Sequence, residues 1–225
     1  MPNLKTVQAS TTAPTQRVRV YTKSDPCSIH KLASSLASAF QDDPFITYMS
    51  GPNTESNYQK NLAMMRTTLR LELSRSAGQA TIHVSQDNST IAVWHHVGHW
   101  KMPLYMELVF VFTMFRVFGW AAFRFMKIMN VAEKVHQLEP PHMHLFIIGT
   151  ERSMQGKGGG SSVISEMLRK CDSDGIPVYL ESSNEKNLSF YKKHGFDVLR
   201  VIPGLPEDCP PMFSVWRPPK PVRDT

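Results

Sequence analysis

Four glycines within five residues separate an apolar strand from an amphipathic helix, and this break constrains the fold more than any other feature of the chain. The apolar run at 145–148 has the length and β-branched content of a buried strand. The helix predicted over 161–170 places its apolar side chains at helical spacing. Between the two elements, the glycines allow positive φ angles and let the backbone approach a ligand closely.

A glycine loop that leads into a helix is suited to binding a phosphate group. The free N–H groups of the first helical turn and the positive end of the helix dipole both favour an anion. Lys157 adds a cation inside the loop. A Walker A loop does not fit, because Lys157 precedes the glycines instead of following them. A dinucleotide fingerprint does not fit either, since Gly156, Gly158 and Ser161 miss its spacing.

A second polar motif follows the helix. Residues 176–182 have the pattern of a strand, and residues 185–193 have that of a short helix capped by Asn184. Asn187 and Tyr191 are four residues apart, so their side chains lie on one face of this helix. The sequence therefore predicts a phosphate loop and a pair of polar side chains within one βαβα segment.

The two motifs together resemble the GNAT superfamily of acyl-CoA N-acyltransferases, and within it the branch of puromycin N-acetyltransferase. Gln155, Gly158 and Gly160 match the Gln-x-x-Gly-x-Gly pyrophosphate loop of that superfamily. The residues that carry the resemblance are His144-Leu145, Gly149, Gln155-Gly156-Lys157-Gly158, Gly160-Ser161, Leu180-Glu181, Ser183, Asn187-Leu188, Phe190-Tyr191 and Gly195-Phe196. Two departures are Thr150-Glu151-Arg152 in place of Val-x-Pro, and Gly159 in place of an aliphatic residue.

The resemblance implies an α/β (α+β) fold with a mixed, mostly antiparallel twisted sheet of six or seven strands flanked by helices. A helical insertion is expected between strands 3 and 4. We expect a disordered tail over 1–16 and a single N-acetyltransferase domain over 17–219. Within that domain, the coenzyme-binding core is expected at about 142–196 and the insertion at about 102–138.

The elements outside the core are predicted from periodicity. The expected helices are 28–41, ended by Asp43-Pro44, and 56–74. Strands are expected at 18–21, 80–84, 90–94, 196–202 and 212–216, with 80–94 forming a hairpin.

The resemblance also implies acetyl-CoA as the acyl donor, with pantetheine running alongside strand 145–149. We expect the backbone N–H of Ile148 or Gly149 to stabilise the oxyanion of the transition state. The predicted coenzyme-binding residues are Ile147, Ile148, Gly149, Thr150, Gln155, Gly156, Lys157, Gly158, Gly159, Gly160, Ser161 and Asn187.

Tyr191 and Glu181 are the predicted catalytic residues. A phenol stays protonated at neutral pH and can pass its proton to a departing thiolate, so Tyr191 is the candidate general acid. Glu181 lies near a strand end and is the candidate base; its alternative is a structural ion pair with a lysine or arginine. His142 and His144 share one strand face and are further candidates for the base.

Composition narrows the class of function. The net charge is +6, but lysine and arginine are not concentrated in one stretch of the sequence. We therefore expect no nucleic-acid partner. Three widely spaced cysteines favour neither a disulfide framework nor a zinc site, and they predict a reducing, cytoplasmic location. His95, His96 and His99 lack a carboxylate or cysteine at ligand spacing, so no metal is expected.

The segment 104–126 is apolar enough to suggest a membrane span, but Glu107, Arg116 and Arg124 divide it. We expect no membrane partner here, and instead one or two helices broken near Gly119 that pack on the sheet. Such helices can wall an aromatic substrate pocket.

The resulting expectation is an acetyl-CoA-dependent N-acetyltransferase that acts on the free amine of a small molecule by direct transfer through a ternary complex. The amine can be a toxic or antibiotic-like compound, and the protein can be a monomer or a homodimer. The alternatives are an acyl-CoA sensor without turnover, a transferase for a protein amine or a hydroxyl, and a membrane-associated interaction protein built on 104–126.

Overall fold

The fold is described by a computed structural model, which covers residues 17–51 and 54–221; the tail expected over 1–16 lies outside them. One seven-stranded sheet has the order β1-β2-β3-β4-β5-β7-β6. Neighbouring strands in this sheet are antiparallel, except for β4 and β5, which are parallel. The strands are β1 Val18–Val20, β2 Ala80–Ser85, β3 Thr90–His95, β4 Met143–Thr150, β5 Val178–Ser182, β6 Asp197–Val201 and β7 Phe213–Arg217. This confirms the mixed, mostly antiparallel sheet.

Seven α-helices flank the sheet in the described residues. They are α1 Ile29–Ala39, α2 Pro44–Ser50, α3 Glu55–Ser74, α4 Leu104–Phe118, α5 Ala121–His136, α6 Gly159–Ser173 and α7 Leu188–Lys193. The expected helical insertion between strands 3 and 4 is confirmed as α4 and α5, which meet at Gly119. Along the described chain, no helix combines the length and apolarity that crossing a bilayer requires.

The role predicted for Asp43-Pro44 was incomplete. Helix α1 does end before these residues, but Asp43 also begins a further helix, α2, that the periodicity did not reveal. Its carboxylate accepts hydrogen bonds from the backbone N–H groups of Phe45 (3.0 Å) and Ile46 (3.1 Å), while Pro44 takes the first helical position. With seven residues, α2 is too short for a periodic signal.

The parallel strands β4 and β5 pair only at the start of β4. Met143 pairs with Val178 and His144 with Tyr179, after which no strand partner lies on that edge of β4 in the described chain. On its other edge, the register with β3 shifts between Val93 and Trp94, because β4 carries one extra residue there. Such a bulge bends a strand and increases its twist. The bulge and the early end of pairing together open the sheet between β4 and β5.

The core has one layer on each face of the sheet. One layer packs α1, α3 and α5 against β2 and β3, and includes Leu32, Leu69 and Ile128. The other packs α6 against β3, β4 and β5, and includes Trp94 and Ile164. These two layers fix the sheet on which the functional site lies.

Helix α1 crosses β4 at Gly149 with almost no space between them. A Cβ atom at Gly149 would lie 2.9 Å from Leu36 Cδ2, 3.0 Å from Ala39 Cβ and 3.1 Å from Phe40 Cε2. Contacts this short force neighbouring atoms to move. Glycine at this position therefore sets the distance between the helix and the strand.

We predict that Gly149→Ala lowers the free energy of unfolding by about 1–3 kcal/mol, because the added methyl overpacks the contact with α1. Urea unfolding measures the change. Ser56→Ala, at an exposed position of α3, is the control and should leave the midpoint unchanged. Equal midpoints for Gly149→Ala and the wild type would contradict the described packing of α1 on β4.

Candidate functional site

A cavity of about 170 Å³ lies where β4 and β5 diverge. Its apolar wall contains Phe110 from α4 and Phe125 from α5, so both helices of the insertion contribute to it. The apolar and aromatic side chains that line it are Phe40, Phe45, Ile46, Met64, Met65, Phe110, Phe125, Met129, Leu145, Phe146, Ile147, Ile148 and Met212. The cavity is thus apolar on the sides formed by α2, α3, α4, α5 and β4.

The polar lining of the cavity comes mainly from the segment that ends β5 and leads into α7. The polar lining residues are Asp43, Thr68, Glu181, Ser182, Ser183, Asn187 and Tyr191. The sequence predicted Glu181, Asn187 and Tyr191 as site residues, and the structure brings all three to this one cavity. Asp43 was not predicted as a site residue, because the sequence pattern indicated only the end of the first helix there.

Glu181 is held by two histidines. Its Oε1 lies 3.1 Å from His136 Nδ1 and its Oε2 lies 2.9 Å from His144 Nε2. The alternative considered from the sequence, an ion pair with a lysine or arginine, is therefore wrong. His144 was a candidate, but His136 was missed, because it is the last residue of α5 and lies 45 positions before Glu181 in the chain.

Glu181 is linked through His136 to a third histidine, His142. His136 Nε2 lies 2.8 Å from His142 Nε2, and His142 Nδ1 lies 2.6 Å from the backbone oxygen of Pro140. All three imidazoles are buried, and Trp100 stacks on the His136 ring at 4.1 Å. We call Glu181, His136, His142 and His144 the histidine–glutamate network.

Burial sets the charge of this network. It lowers the pKa of His136 and His144, and it lowers the pKa of His142 to about 4, so all three are neutral at pH 7. Burial alone would raise the pKa of Glu181, but its interactions with His144 and His136 outweigh burial and lower it. The network is therefore a carboxylate surrounded by neutral imidazoles.

The same cluster has the composition of a metal site. The ligating atoms of His136, His144 and Glu181 lie within 4.8 Å of one another. Glu181 is hydrogen-bonded to both histidines, so the same three side chains form a hydrogen-bonded network and also have the spacing of a metal site. The other group of histidines in the sequence contains His95 and His96, and these two do not share one site. His95 bonds Glu72 (2.9 Å), whereas His96 bonds Thr81 (2.9 Å).

Tyr191 is buried at the cavity surface, with 6% of its surface exposed. Burial, together with the nearby Asp43 carboxylate, raises the pKa of the Tyr191 phenol, so the proton stays on at neutral pH. Asn187 lies one helical turn earlier and lines the same cavity. The structure thus keeps Tyr191 in the protonated state that a general acid requires.

The glycine loop has the backbone conformation expected of an anion site. Gly156 has a φ of 77° and Gly158 a φ of 85°, and Gly158 is the N-cap of α6. Gln155 donates from Nε2 to the backbone oxygen of Thr150 (3.1 Å), which ties the loop to the end of β4. The Lys157 ammonium donates to the backbone oxygen of Ser153 (3.1 Å). The loop therefore lies next to the C-terminal end of β4.

Comparison with known proteins identifies the fold and the class of enzyme. The family model for the acetyltransferase (GNAT) family matches residues 80–196. The chain belongs to the GNAT family. It is an acyltransferase of the N-acetyltransferase type, and enzymes of this family use acetyl-CoA as the acyl donor.

Individual relatives agree with this assignment. An uncharacterized N-acetyltransferase of Schizosaccharomyces pombe is 26% identical in an alignment of 180 residues that covers 74% of this chain and 69% of that protein. The crystal structure of a histone acetyltransferase HPA2 and related acetyltransferase from Corynebacterium glutamicum has a TM-score of 0.64 at 21% identity, covering 93% of this chain and 99% of that one. A GCN5-related N-acetyltransferase from Rhodopseudomonas palustris has a TM-score of 0.53 at 9% identity over the same shares. These two crystal structures show that this chain shares their fold.

We predict that acid destabilises the protein through its buried histidines. The folded-state pKa of His142 is about 4, so between about pH 6.5 and pH 4 the unfolded chain binds a proton that the folded protein does not. Stability is therefore present above this window and is lost as pH falls through it. The lowered pKa of Glu181 acts only at lower pH, below the usual range of a glutamate.

From pH 7 to pH 5, His142 should contribute a loss of about 2 kcal/mol to the free energy of unfolding. Urea unfolding at the two pH values should show a smaller loss for His142→Asn than for the wild type. His30→Asn, at an exposed position, is the control and should behave as the wild type. A pH dependence that is the same in His142→Asn and the wild type would contradict the neutral, buried state of His142.

Proposed function

We propose that this N-acetyltransferase transfers the acetyl group of acetyl-CoA to the free amine of a small molecule with an apolar body, by direct transfer in a ternary complex. The observation that carries this proposal is the apolar cavity, which meets Glu181 and Tyr191 beside the open edge of β4. Its aromatic and methionine side chains fit an apolar group, and its polar end fits an amine.

The size of the cavity limits the acceptor. A volume of about 170 Å³ is smaller than the roughly 300–1,000 Å³ typical of pockets for drug-sized ligands. This favours an amine with a single ring or a short apolar chain over a large antibiotic. A toxic small amine fits this limit.

The carboxylate of Glu181 favours a cationic acceptor. Amines of this kind arrive as ammonium ions, and an ionised carboxylate in a cavity of low polarity attracts them. Asp43, the second carboxyl group of the lining, accepts a hydrogen bond from Ser183 Oγ (2.7 Å), and burial raises its pKa. The ammonium therefore has its strongest anionic partner in Glu181, beside β4.

The open edge of β4 is the place for the acyl donor. Pantetheine can lie along this edge and use its backbone groups, with the N–H of Ile148 or Gly149 as the oxyanion donor. The positive-φ loop and the start of α6 then face the diphosphate. We propose the following coenzyme contacts: Ile147, Ile148, Gly149, Thr150, Gln155, Gly156, Lys157, Gly158, Gly159, Gly160, Ser161 and Asn187.

The reaction needs three proton transfers at this site. Glu181 accepts a proton from the ammonium, directly or through water, and the freed electron pair on nitrogen attacks the thioester carbonyl carbon. The new C–N bond forms, the nitrogen of the adduct loses its second proton to solvent, the C–S bond breaks, and Tyr191 gives its phenolic proton to the leaving thiolate. Tyr191 then regains a proton from solvent.

A thiol-release screen tests this function. Purified protein with acetyl-CoA should release coenzyme A with some primary amines that carry one apolar group. Tyr191→Phe should lower the rate roughly ten- to a thousandfold through loss of the general acid. Tyr58→Phe is the matched control, since Tyr58 bonds Ser34 and does not line the cavity.

Two outcomes would contradict the proposal. Binding of acetyl-CoA without turnover for any amine would identify an acyl-CoA sensor. A full rate in Tyr191→Phe would remove the assignment of the acid while leaving the coenzyme site in place.

The coenzyme loop is tested with a matched pair of glycines. Gly158 and Gly175 lie at the two ends of α6, both have positive φ, and both have open space where a Cβ would stand. Alanine should strain each position by about 1–2 kcal/mol. We predict that calorimetry shows weaker coenzyme A binding for Gly158→Ala and unchanged binding for Gly175→Ala. Equal affinities in the two variants would contradict a role of the loop in binding.

A further inference from the structure

Three side chains from three different elements meet at the polar end of the cavity. His136 ends α5, His144 lies in β4 and Glu181 lies in β5. One ligating atom from each of the three lies within 4.8 Å of the other two. The nitrogens that face the carboxylate are His136 Nδ1, 3.1 Å from Oε1, and His144 Nε2, 2.9 Å from Oε2. Zinc bonds of about 2.0–2.1 Å place two ligands of a tetrahedral ion roughly 3.3 Å apart, so small side-chain movements suffice to close this group around one ion.

The ligand set suits zinc. Zinc sites that keep an exchangeable position use three protein ligands, and two histidines with one glutamate are one of the sets found in them. Imidazole also binds copper, iron and nickel, so the set defines a class of divalent ions. Zinc is the member of this class that binds without redox chemistry, and we take Zn²⁺ as the ion.

The surroundings hold His136 in the orientation that a metal ligand needs. A coordinated histidine donates its other ring N–H to a nearby acceptor, which fixes the ring. With Nδ1 of His136 on an ion, the proton is on Nε2, which lies 2.8 Å from His142 Nε2. When His142 donates from Nδ1 to Pro140 O (2.6 Å), its Nε2 is free to accept that proton. Trp100, stacked on the His136 ring at 4.1 Å, fixes the plane of the ring as well.

A second buried pair of a histidine and a glutamate lacks this composition. His95 lies 2.9 Å from Glu72, but Arg75 also pairs Glu72 at 2.6 Å. The guanidinium occupies that carboxylate, and its positive charge opposes a divalent ion. In the part of the chain that the structure describes, Glu181 has no arginine or lysine partner, and its ion pairs are with His136 and His144. The charge of Glu181 therefore remains available to an ion.

An ion can reach this group through the cavity. Glu181 lines the cavity and 15% of its side chain is exposed, whereas the side chains of His136 and His144 are 3% and 7% exposed. Three protein ligands leave one position of a tetrahedral ion for water. A bound ion can therefore exchange with solvent.

We propose that Zn²⁺ binds to His136 Nδ1, His144 Nε2 and the Glu181 carboxylate, and that the bound ion inhibits acetyl transfer. Binding depends on the ligand set alone, whereas inhibition rests on the proposed function. A Glu181 oxygen that coordinates zinc no longer accepts a proton from the acceptor, and the charge of the ion repels an incoming ammonium. The same carboxylate thus serves the acceptor amine or the metal, but not both.

Calorimetry with zinc chloride, in a buffer that does not chelate metals, tests the site without any substrate. The wild type should bind one ion at this site. Glu181→Gln keeps the size of the side chain but loses its charge, and His136→Phe keeps a ring on which Trp100 can stack. Each should weaken binding at least about a hundredfold, and His142→Phe, which removes only the acceptor behind His136, should weaken it roughly ten- to a hundredfold.

His96→Asn is the control, because His96 bonds Thr81 outside the site, and it should bind zinc as the wild type does. Co²⁺ in place of zinc should give the visible bands of a four-coordinate ion, without the charge-transfer band that a cysteine ligand would add. Absence of binding to the wild type, unchanged binding in Glu181→Gln or His136→Phe, or a loss of binding in His96→Asn would overturn the proposal.

Inhibition is measured as formation of the acetylated amine, because zinc itself binds the thiol of free coenzyme A. With an active amine, Zn²⁺ should raise the KM for the amine while the KM for acetyl-CoA changes little, and a chelator should restore the rate. Zinc binding with an unchanged or raised rate would overturn the inhibitory role. A protein that accepts no amine but binds zinc through these three side chains would refute the proposed function and support the metal site.

Discussion

The early separation of β4 from β5 is the constraint on which the rest of the structure depends. Only Met143 and His144 of β4 are paired with β5, and the extra residue of β4 bends the strand away on the side of β3. A parallel pair that continued would have covered this edge and filled the space beside it. Because it ends, one strand offers free backbone groups to a donor, while the end of the other carries Glu181 into the same space. In the function proposed above, this opening in the sheet is where acyl donor and acceptor meet.

Burial gives the two proposed catalytic groups opposite roles. Around Tyr191, burial and the nearby Asp43 carboxylate raise the pKa of the phenol, so the proton stays on and the residue suits an acid. Around Glu181 the two imidazole contacts outweigh burial, so the carboxylate stays ionised and suits a base. The apolar wall from α4 and α5 strengthens both effects, because charges interact more strongly where water is excluded. The insertion thus forms part of the cavity wall and also supplies His136 to the site.

Much of the fold and part of the site could be predicted from the sequence. Strand, glycine loop and helix are local patterns, so β4, α6 and the cap at Asn184 follow from residues near one another. The helix α2 could not be predicted, because seven residues carry no periodic signal and its cap, Asp43, reads equally well as the end of α1. The partners of Glu181 could not be predicted either. His136 and Glu181 are 45 residues apart and meet only because α5 packs at the end of the sheet.

The most direct test of the account is a crystal structure of the protein with coenzyme A bound. The account predicts pantetheine in the opening between β4 and β5, hydrogen-bonded along the edge of β4 from 145 to 150, with the diphosphate against the backbone of residues 156–161. The thiol should end at the cavity, within reach of the Tyr191 hydroxyl. A coenzyme bound elsewhere, with the edge of β4 closed by protein or water, would contradict it.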